Sequence, residues 1–243
     1  MPKILKIIAI GSGLCLLTFV AFLISFGGDN TISLSQKITG SPSLISPSIQ
    51  LPNLTEKLTD QLAKEIVASN PDGPSPDGVG IIIPDPDELV AKTLRDQLAG
   101  FDPADLRPFI TEKEIVIKKS ATDQDRVDYF KLVPTIFAKR FSEQHIADLK
   151  NPRPEEFSAV SKAYKDTMAE LASVPIPEDL TDIHIHTLEM LGIQSSSFEL
   201  LSKFKEDPLK ALLAAQLQES IAQEASELRQ EMVSYIEEHN LIF

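Results

Sequence analysis

The first apolar pattern along the chain is a run from Ile7 to Phe26. At ~1.5 Å per residue, a helix of about 20 residues spans the ~30 Å hydrocarbon core of a bilayer. Lys3 and Lys6 precede the run, and the positive-inside rule places such a basic flank in the cytoplasm. The pattern predicts a cytoplasmic tip and transmembrane anchor within residues 1–26, with residues 7–26 in the membrane. A cleaved signal peptide is the alternative, and it leads to the same side of the membrane.

The rest of the chain changes from an irregular to a helical pattern. Residues 27–52 are rich in Gly, Ser, Pro and Thr and keep no regular period, which predicts a flexible linker. Residues 53–243 are then expected to form an extracytoplasmic helical domain. Apolar residues repeat there every three or four positions. These stripes predict helices over about 53–70, 123–141, 155–173, 178–205 and 208–239.

Some positions modify this helical picture. Pro134 is expected to kink or break its helix, and Gly192 with the serines that follow should weaken another. A further helix is predicted after Asp85, and short strands are candidates at Ile81–Ile83 and Glu114–Lys118. Two such strands cannot form an independent sheet. The fold class is therefore mainly α: an N-terminal transmembrane helix, a flexible stalk, and an irregular multi-helix bundle with a long C-terminal helix.

The C-terminal helix carries the longest stripe. Asp207 and Pro208 give an N-cap and a first-turn proline, and apolar residues step by three or four to Ile236. The first half of the stripe is expected to be covered by the domain. Apolar residues are sparser in the second half and the flanks are more charged. We therefore expect a surface for a partner protein formed by Leu228, Met232, Tyr235 and Ile236.

Charge and cysteine content narrow the function classes. The chain has 23 Lys and Arg against 36 Asp and Glu, and the part after the anchor has 21 against 36, a net charge of −15. This acidity argues against nucleic acid and anionic lipid headgroups as partners. Cys15 is the only cysteine and lies in the apolar run, so the exported part has no disulfide.

The strongest catalytic pattern is Asp182-x-His184-x-His186. It is similar to the first metal-binding strand of barrel-type metallohydrolases, where alternate residues share one face. The apolar spacing around it favours a helix instead, on which residues two apart point about 200° away from each other. His184 is then expected to be half-buried, and His186 to be a surface residue that pairs with Asp182 or Glu189. These three residues remain the metal candidates.

No other pattern in the chain indicates catalysis or a cofactor. The acids from Asp72 to Glu88 lack the alternating arrangement of an EF-hand and are interpreted as turn and cap residues. Neither a Gly-x-Ser-x-Gly elbow nor a Gly-rich phosphate loop is present. We therefore predict no catalytic residue and no cofactor.

Four stretches carry a resemblance to a group of proteins: Asn53–Asn70, Glu114–Phe130, Val174–Leu191 and Phe204–Ala214. They resemble uncharacterised, single-anchor, helical extracytoplasmic proteins of small-genome bacteria. The resemblance implies a helical domain and a place beside pilus-like or secretion-like machinery. It implies no activity and no functional residue.

Three functions remain open from the sequence. The first is an anchored structural or interaction protein of the cell envelope, with other envelope proteins as partners. The second is a helical module that binds a solute or a lipid between its helices. The third is a metal-dependent extracytoplasmic hydrolase, which requires His184 and His186 to lie side by side on one strand.

Overall fold

The computed structural model describes residues 52–71, 103–141 and 152–243, together with residues 73, 80, 85, 87, 88, 91, 92, 95 and 96. These residues are mainly helical. The predicted anchor, the linker up to residue 51 and the candidate strand Ile81–Ile83 lie outside them. So does Ser142–Leu149, for which the sequence predicts a further turn or two of helix. The elements are α1 Leu54–Ser69, β1 Val116–Lys118, α2 Asp123–Phe141, α3 Pro154–Ala172, β2 Pro175–Pro177, α4 Thr181–Ser202 and α5 Pro208–Glu238.

Local signals in the sequence account for where the helices begin. The Asn53 side chain accepts a hydrogen bond from the N–H of Glu56 at the start of α1. Before α2, the Thr122 N–H donates to Asp125, whose own N–H donates to the Thr122 hydroxyl. Asp85 accepts from the N–H of Asp87, at the predicted start of the helix to which residues 87, 88, 91, 92, 95 and 96 belong. The observed limits of the five longer helices agree with the predicted limits to within about three residues.

Two predicted helices differ from expectation in detail. Helix α2 continues through Pro134 without a break, and Pro134 is buried. Helix α4 begins at Thr181 because Glu178–Leu180 forms a separate 3-10 turn. Neither difference changes the order of the elements.

Helix α4 forms the centre of the bundle, with α3 on one side and α5 on another. It runs antiparallel to α5. Near its C-terminal end, the Ser197 hydroxyl donates to the carbonyl of Ala214, whereas near its N-terminal end His186 contacts Glu224. The start of α4 therefore lies beside the end of α5.

The small residues of α4 permit close contact with its neighbours. The Ser161 hydroxyl of α3 donates to the Ser195 carbonyl at 2.8 Å, and the Ser195 hydroxyl donates to the Ser161 carbonyl at 3.0 Å. A Cβ added to Gly192 would lie 2.2 Å from Cγ of Pro108. The predicted weak points of the helix are thus its close contacts with α3 and with the segment before β1, because only small side chains let the neighbouring chain approach so closely.

A two-stranded parallel sheet closes the end of the bundle near the start of α4. β1 pairs with β2, with Ile117 aligned with Ile176. Pro175 and Pro177 have no N–H, so Ile176 is the residue of β2 that can donate a backbone hydrogen bond. Ile176 is fully buried against the helices, which stabilise this small sheet. The sequence predicted a strand at β1 but interpreted β2 only as a break between helices.

Among the described residues, no helix combines the length and the apolar character that a bilayer crossing requires. The apolar run of residues 7–26 lies outside them.

Candidate functional site: ionisable residues between the helices

The two histidines of α4 lie in different environments. His184 is fully buried, whereas the His186 side chain is 29% exposed and Asp182 is exposed. Because they lie on a helix, the two rings point in different directions, and the structure does not bring the three metal candidates together. In the described part of the chain, no group of three or more His, Cys, Asp or Glu residues is arranged to hold a metal ion.

His184 packs against Tyr129 of α2 inside the core. Its Nδ1 lies 3.0 Å from the Tyr129 hydroxyl, and the two rings meet edge to face with centroids 5.7 Å apart. Burial lowers the pKa of His184 to about 4 and raises the pKa of Tyr129. Both groups are therefore neutral at pH 7. The expectation of a half-buried His184 is corrected: its side chain is fully buried.

His186 belongs to an ionic cluster that joins three segments. Its Nε2 lies 2.9 Å from Glu224 Oε1, and its Nδ1 lies 3.6 Å from Glu231 Oε2. Arg107 reaches the same Glu224 at 2.6 Å and also Glu189 at 3.3 Å. The predicted partners of His186, Asp182 and Glu189 of its own helix, are thus replaced by residues of α5.

The Glu224 carboxylate is the centre of this cluster. Burial raises the pKa of Glu224, but the hydrogen bonds from Arg107 and His186 lower it by a larger amount. The net shift of this pKa is therefore downward. Glu224 is consequently ionised at neutral pH. In this state it links the segment before β1 to α4 and α5, and it holds no proton to donate.

A second polar cluster holds the C-terminal end of α5. The Tyr235 hydroxyl donates to Asp179 Oδ2 at 2.6 Å, and Arg126 Nε donates to the same oxygen at 2.9 Å. The His239 ring stacks on Tyr235 with centroids 4.0 Å apart. Burial and the Asp179 carboxylate raise the pKa of Tyr235 to about 12. Asp179 stays ionised, since hydrogen bonds from Tyr235 and Arg126 lower its pKa more than burial raises it.

No local pattern in the sequence indicated the second cluster. Arg126 and Asp179 lie 53 residues apart, and Arg126 and Tyr235 lie 109 apart. Charged and aromatic residues are common on helices, so only the arrangement of the helices identifies these partners. The cluster joins α2, the turn before α4 and α5, which makes it an internal connection of the bundle.

The predicted partner surface on α5 requires a correction. Leu228 is fully buried, Met232 is 2% and Tyr235 9% exposed, and Ile236 packs partly buried against the same core. The antiparallel arrangement explains this burial, because the first half of α4 lies along the second half of α5. These apolar side chains are therefore covered by the chain's own helices rather than open to another protein.

The C-terminus of α5 completes this cover. Asn240 adopts a φ of +50°, the N–H of Leu241 donates to the carbonyl of Ile236, and the N–H of Asn240 donates to Glu237. This is the Schellman arrangement that commonly ends helices. It returns Leu241 to the core, where it is 9% exposed.

Comparisons with protein-family models, curated proteins and solved structures find no match for this chain.

Proposed function

We propose that the chain is a membrane-anchored interaction protein of the bacterial cell envelope, with residues 53–243 held outside the cytoplasm. The observation that carries the proposal is the apolar run of residues 7–26 after Lys3 and Lys6. A run of about 20 apolar residues has the length of a membrane span, and its basic flank orients the chain with the N-terminus inside.

The use of the charged residues supports an interaction role over a catalytic one. Glu224 and Asp179 are each held by cationic and hydrogen-bonding residues from other segments, with their pKa values lowered. Such carboxylates stabilise a helix arrangement, whereas a general acid needs a pKa raised toward neutrality. The net charge of −15 after the anchor favours protein partners over nucleic acid.

The resemblance to single-anchor helical proteins suggests the kind of partner. On this proposal the domain contacts other envelope proteins of a pilus-like or secretion-like apparatus. The contacts are made by exposed side chains, since Leu228 and Met232 are covered. Phe109, which is 85% exposed, is the most exposed aromatic residue of the described part.

A fusion experiment tests the topology. An alkaline phosphatase reporter, which is active only outside the cytoplasm, is joined after Phe243 in a bacterial host. We expect an active reporter with the native sequence and a large loss of activity in the matched variant Lys3→Glu/Lys6→Glu, because the orienting charge is removed. If only a cytoplasmic reporter is active at this position, the proposal is wrong.

Site-specific photocrosslinking in intact cells tests the interaction role. A photoreactive amino acid replaces exposed Phe109 or Gln230, and buried Met232 serves as the control position. We expect discrete products with envelope proteins from at least one exposed position and none from position 232. Product at no exposed position above the level of the control would contradict the interaction role even where the topology is correct.

A further inference from the structure

One buried carboxylate caps the N-termini of two helices. Asp207 is 3% exposed. Its Oδ2 accepts the N–H of Leu54 at 2.8 Å, and its Oδ1 accepts the N–H and the hydroxyl of Thr55 at 3.2 and 2.8 Å. The same Oδ1 accepts the N–H of Lys210 at 3.2 Å in the first turn of α5. Asp207 therefore caps its own helix and also α1, which lies 153 residues earlier in the chain.

Helix α1 has little other burial. Leu54 is the only buried residue of its 16. It lies in the first turn, directly beside the Asp207 carboxylate, while the far end of the helix carries the 70% exposed Val67. The most deeply buried side chain of α1 is thus at the end that Asp207 caps, whereas Leu58, Leu62 and Ile66 farther along the helix are half-buried.

The electrostatics favour an ionised Asp207 at this point. Burial raises the pKa of Asp207. Hydrogen bonds from Thr55 and from the backbone N–H groups of Leu54 and Lys210 lower this pKa by a larger amount, so the net shift is downward. The N-terminal ends of two helices each carry a partial positive charge that stabilises an adjacent anion. A neutral side chain in the same place forms weaker bonds to both.

We propose that the Asp207 carboxylate is the joint that holds α1 on the bundle, so that its neutralisation releases α1 as a unit while α3 and α4 stay folded. An isolated helix of 16 residues is marginal in water, so a released α1 loses its helical hydrogen bonds as well. The joint itself is independent of the proposed function. Its consequence rests on that function: α1 follows the predicted linker, so the joint determines whether α1 belongs to the folded domain or to the connection between the domain and the anchor.

Asp207→Asn is the variant that separates the two roles of this residue. Asparagine is as good an N-cap as aspartate, so the hydrogen bond from the N–H of Lys210 is retained at the start of α5, and only the 3.6 Å ion pair with Lys210 Nζ is lost there. The amide has no charge, and an NH2 donor replaces one of the two carboxylate oxygens. When the remaining oxygen stays with the N–H of Lys210 and with Thr55, this donor faces the N–H of Leu54, so the hydrogen bond to Leu54 is lost. Thr55→Val is the second variant, because it removes the hydroxyl that donates to Asp207 and accepts the N–H of Leu209 at 3.5 Å, and it keeps the carboxylate.

Hydrogen–deuterium exchange of the full chain in detergent micelles measures the release. In Asp207→Asn we expect exchange of α1, including the amides of Leu54 and Thr55, to accelerate about tenfold or more, as for loss of a charge-assisted hydrogen bond. Exchange in α3 and α4 should change less than twofold. Thr55→Val should accelerate α1 in the same way but less, and Thr55→Ser, which keeps the hydroxyl, should resemble the native chain.

Two outcomes would overturn the joint. One is unchanged exchange of α1 in Asp207→Asn, since another contact then holds the helix. The other is an equal acceleration in α1, α3 and α4, in Thr55→Val as well as in Asp207→Asn, since Asp207 then contributes only to global stability. Neither outcome bears on the topology reporter after Phe243, so failure of the joint and failure of the proposed function are distinguishable.

Discussion

Helices α1 and α4 show opposite relations between sequence pattern and burial. Leu54, Leu58, Leu62 and Ile66 give α1 a regular i, i+4 stripe, yet only Leu54 is buried. Helix α4 has no clean stripe, and 15 of its 22 residues are buried. A helix that is enclosed on several sides needs no polar face, so its periodicity is weak. The regularity of a stripe therefore indicates a helix without indicating how central that helix is.

The polar residues of α4 and α1 also differ in whether they lie inside the bundle. In α4, the hydroxyls of Thr187 and Ser197 are buried and donate to backbone carbonyls, which removes the cost of placing them in the core. In α1, Thr55 is partly buried and takes part in the Asp207 joint, while Glu65 pairs with Lys92 at the surface. Interior polar groups thus define how α4 packs, and polar groups at one end define where α1 attaches.

The largest expected effect is that of a charge placed in the buried core beside α4, on the facing side of α5, compared with the same charge on exposed α1. Leu228→Asp buries an unpaired carboxylate at a fully buried position, which should cost several kcal/mol and unfold the domain. Val67→Asp places the same charge on α1 at a 70% exposed position, and its effect should stay within about 0.5 kcal/mol. Urea unfolding of residues 53–243, followed by far-UV circular dichroism, measures both.

Met232→Asp extends this test along α5. We expect it to destabilise the domain as Leu228→Asp does, since Met232 is 2% exposed. An unchanged unfolding midpoint in either variant would show that the second half of α5 does not belong to the core and would restore it as a partner surface.

A smaller effect is expected from pH through His184. Its pKa is lowered from 6.5 to about 4 by burial, so the unfolded chain binds more protons between these values. The contribution of the neutral ring to the free energy of unfolding is complete above pH 6.5. It is lost as the pH falls toward 4, and the total loss is up to about 3 kcal/mol. The His184→Gln variant lacks this titrating ring, so its free energy of unfolding should change less between pH 6.5 and 4 than that of the native chain.

The carboxylates provide an internal check on this pH prediction. Asp207 and Glu224 have lowered pKa values, so their stabilisation is present above the ordinary carboxylate range and is lost only below about pH 4.5. If the native chain begins to lose stability near pH 6.5 and the His184→Gln variant does not, His184 is the group responsible. Identical pH profiles for the two chains would rule it out.

The smallest effect concerns the close contact of α4 with Pro108. Gly192→Ala places a methyl group against the Pro108 ring and should destabilise by about 1–3 kcal/mol. At an open helical position the same change stabilises by about 0.5–1 kcal/mol. Combining it with Pro108→Ala should recover much of the loss, because the two residues are in contact. Stabilisation by Gly192→Ala alone would show that the contact is not rigid.

Particular residues show how far the candidate site was predictable. The helical setting of His184 and His186 followed from the apolar spacing around them, and the structure confirms it. Their partners Tyr129 and Glu224 did not follow, because they lie 55 and 38 residues away on other helices. The partner surface at Leu228 and Met232 was wrong, since a sparse stripe does not reveal which helix lies against it.

The helices and their approximate limits are readable from local sequence, because periodicity, caps such as Asn53 and Thr122, and the Asp207-Pro208 start act within a few residues. The central position of α4, the pairing of β2 with β1 and the capping of α1 by Asp207 emerge only from the packed fold. The difference comes from distance along the chain. Contacts between residues 50 to 150 positions apart depend on how the helices pack, and that packing leaves no local period or motif in the sequence.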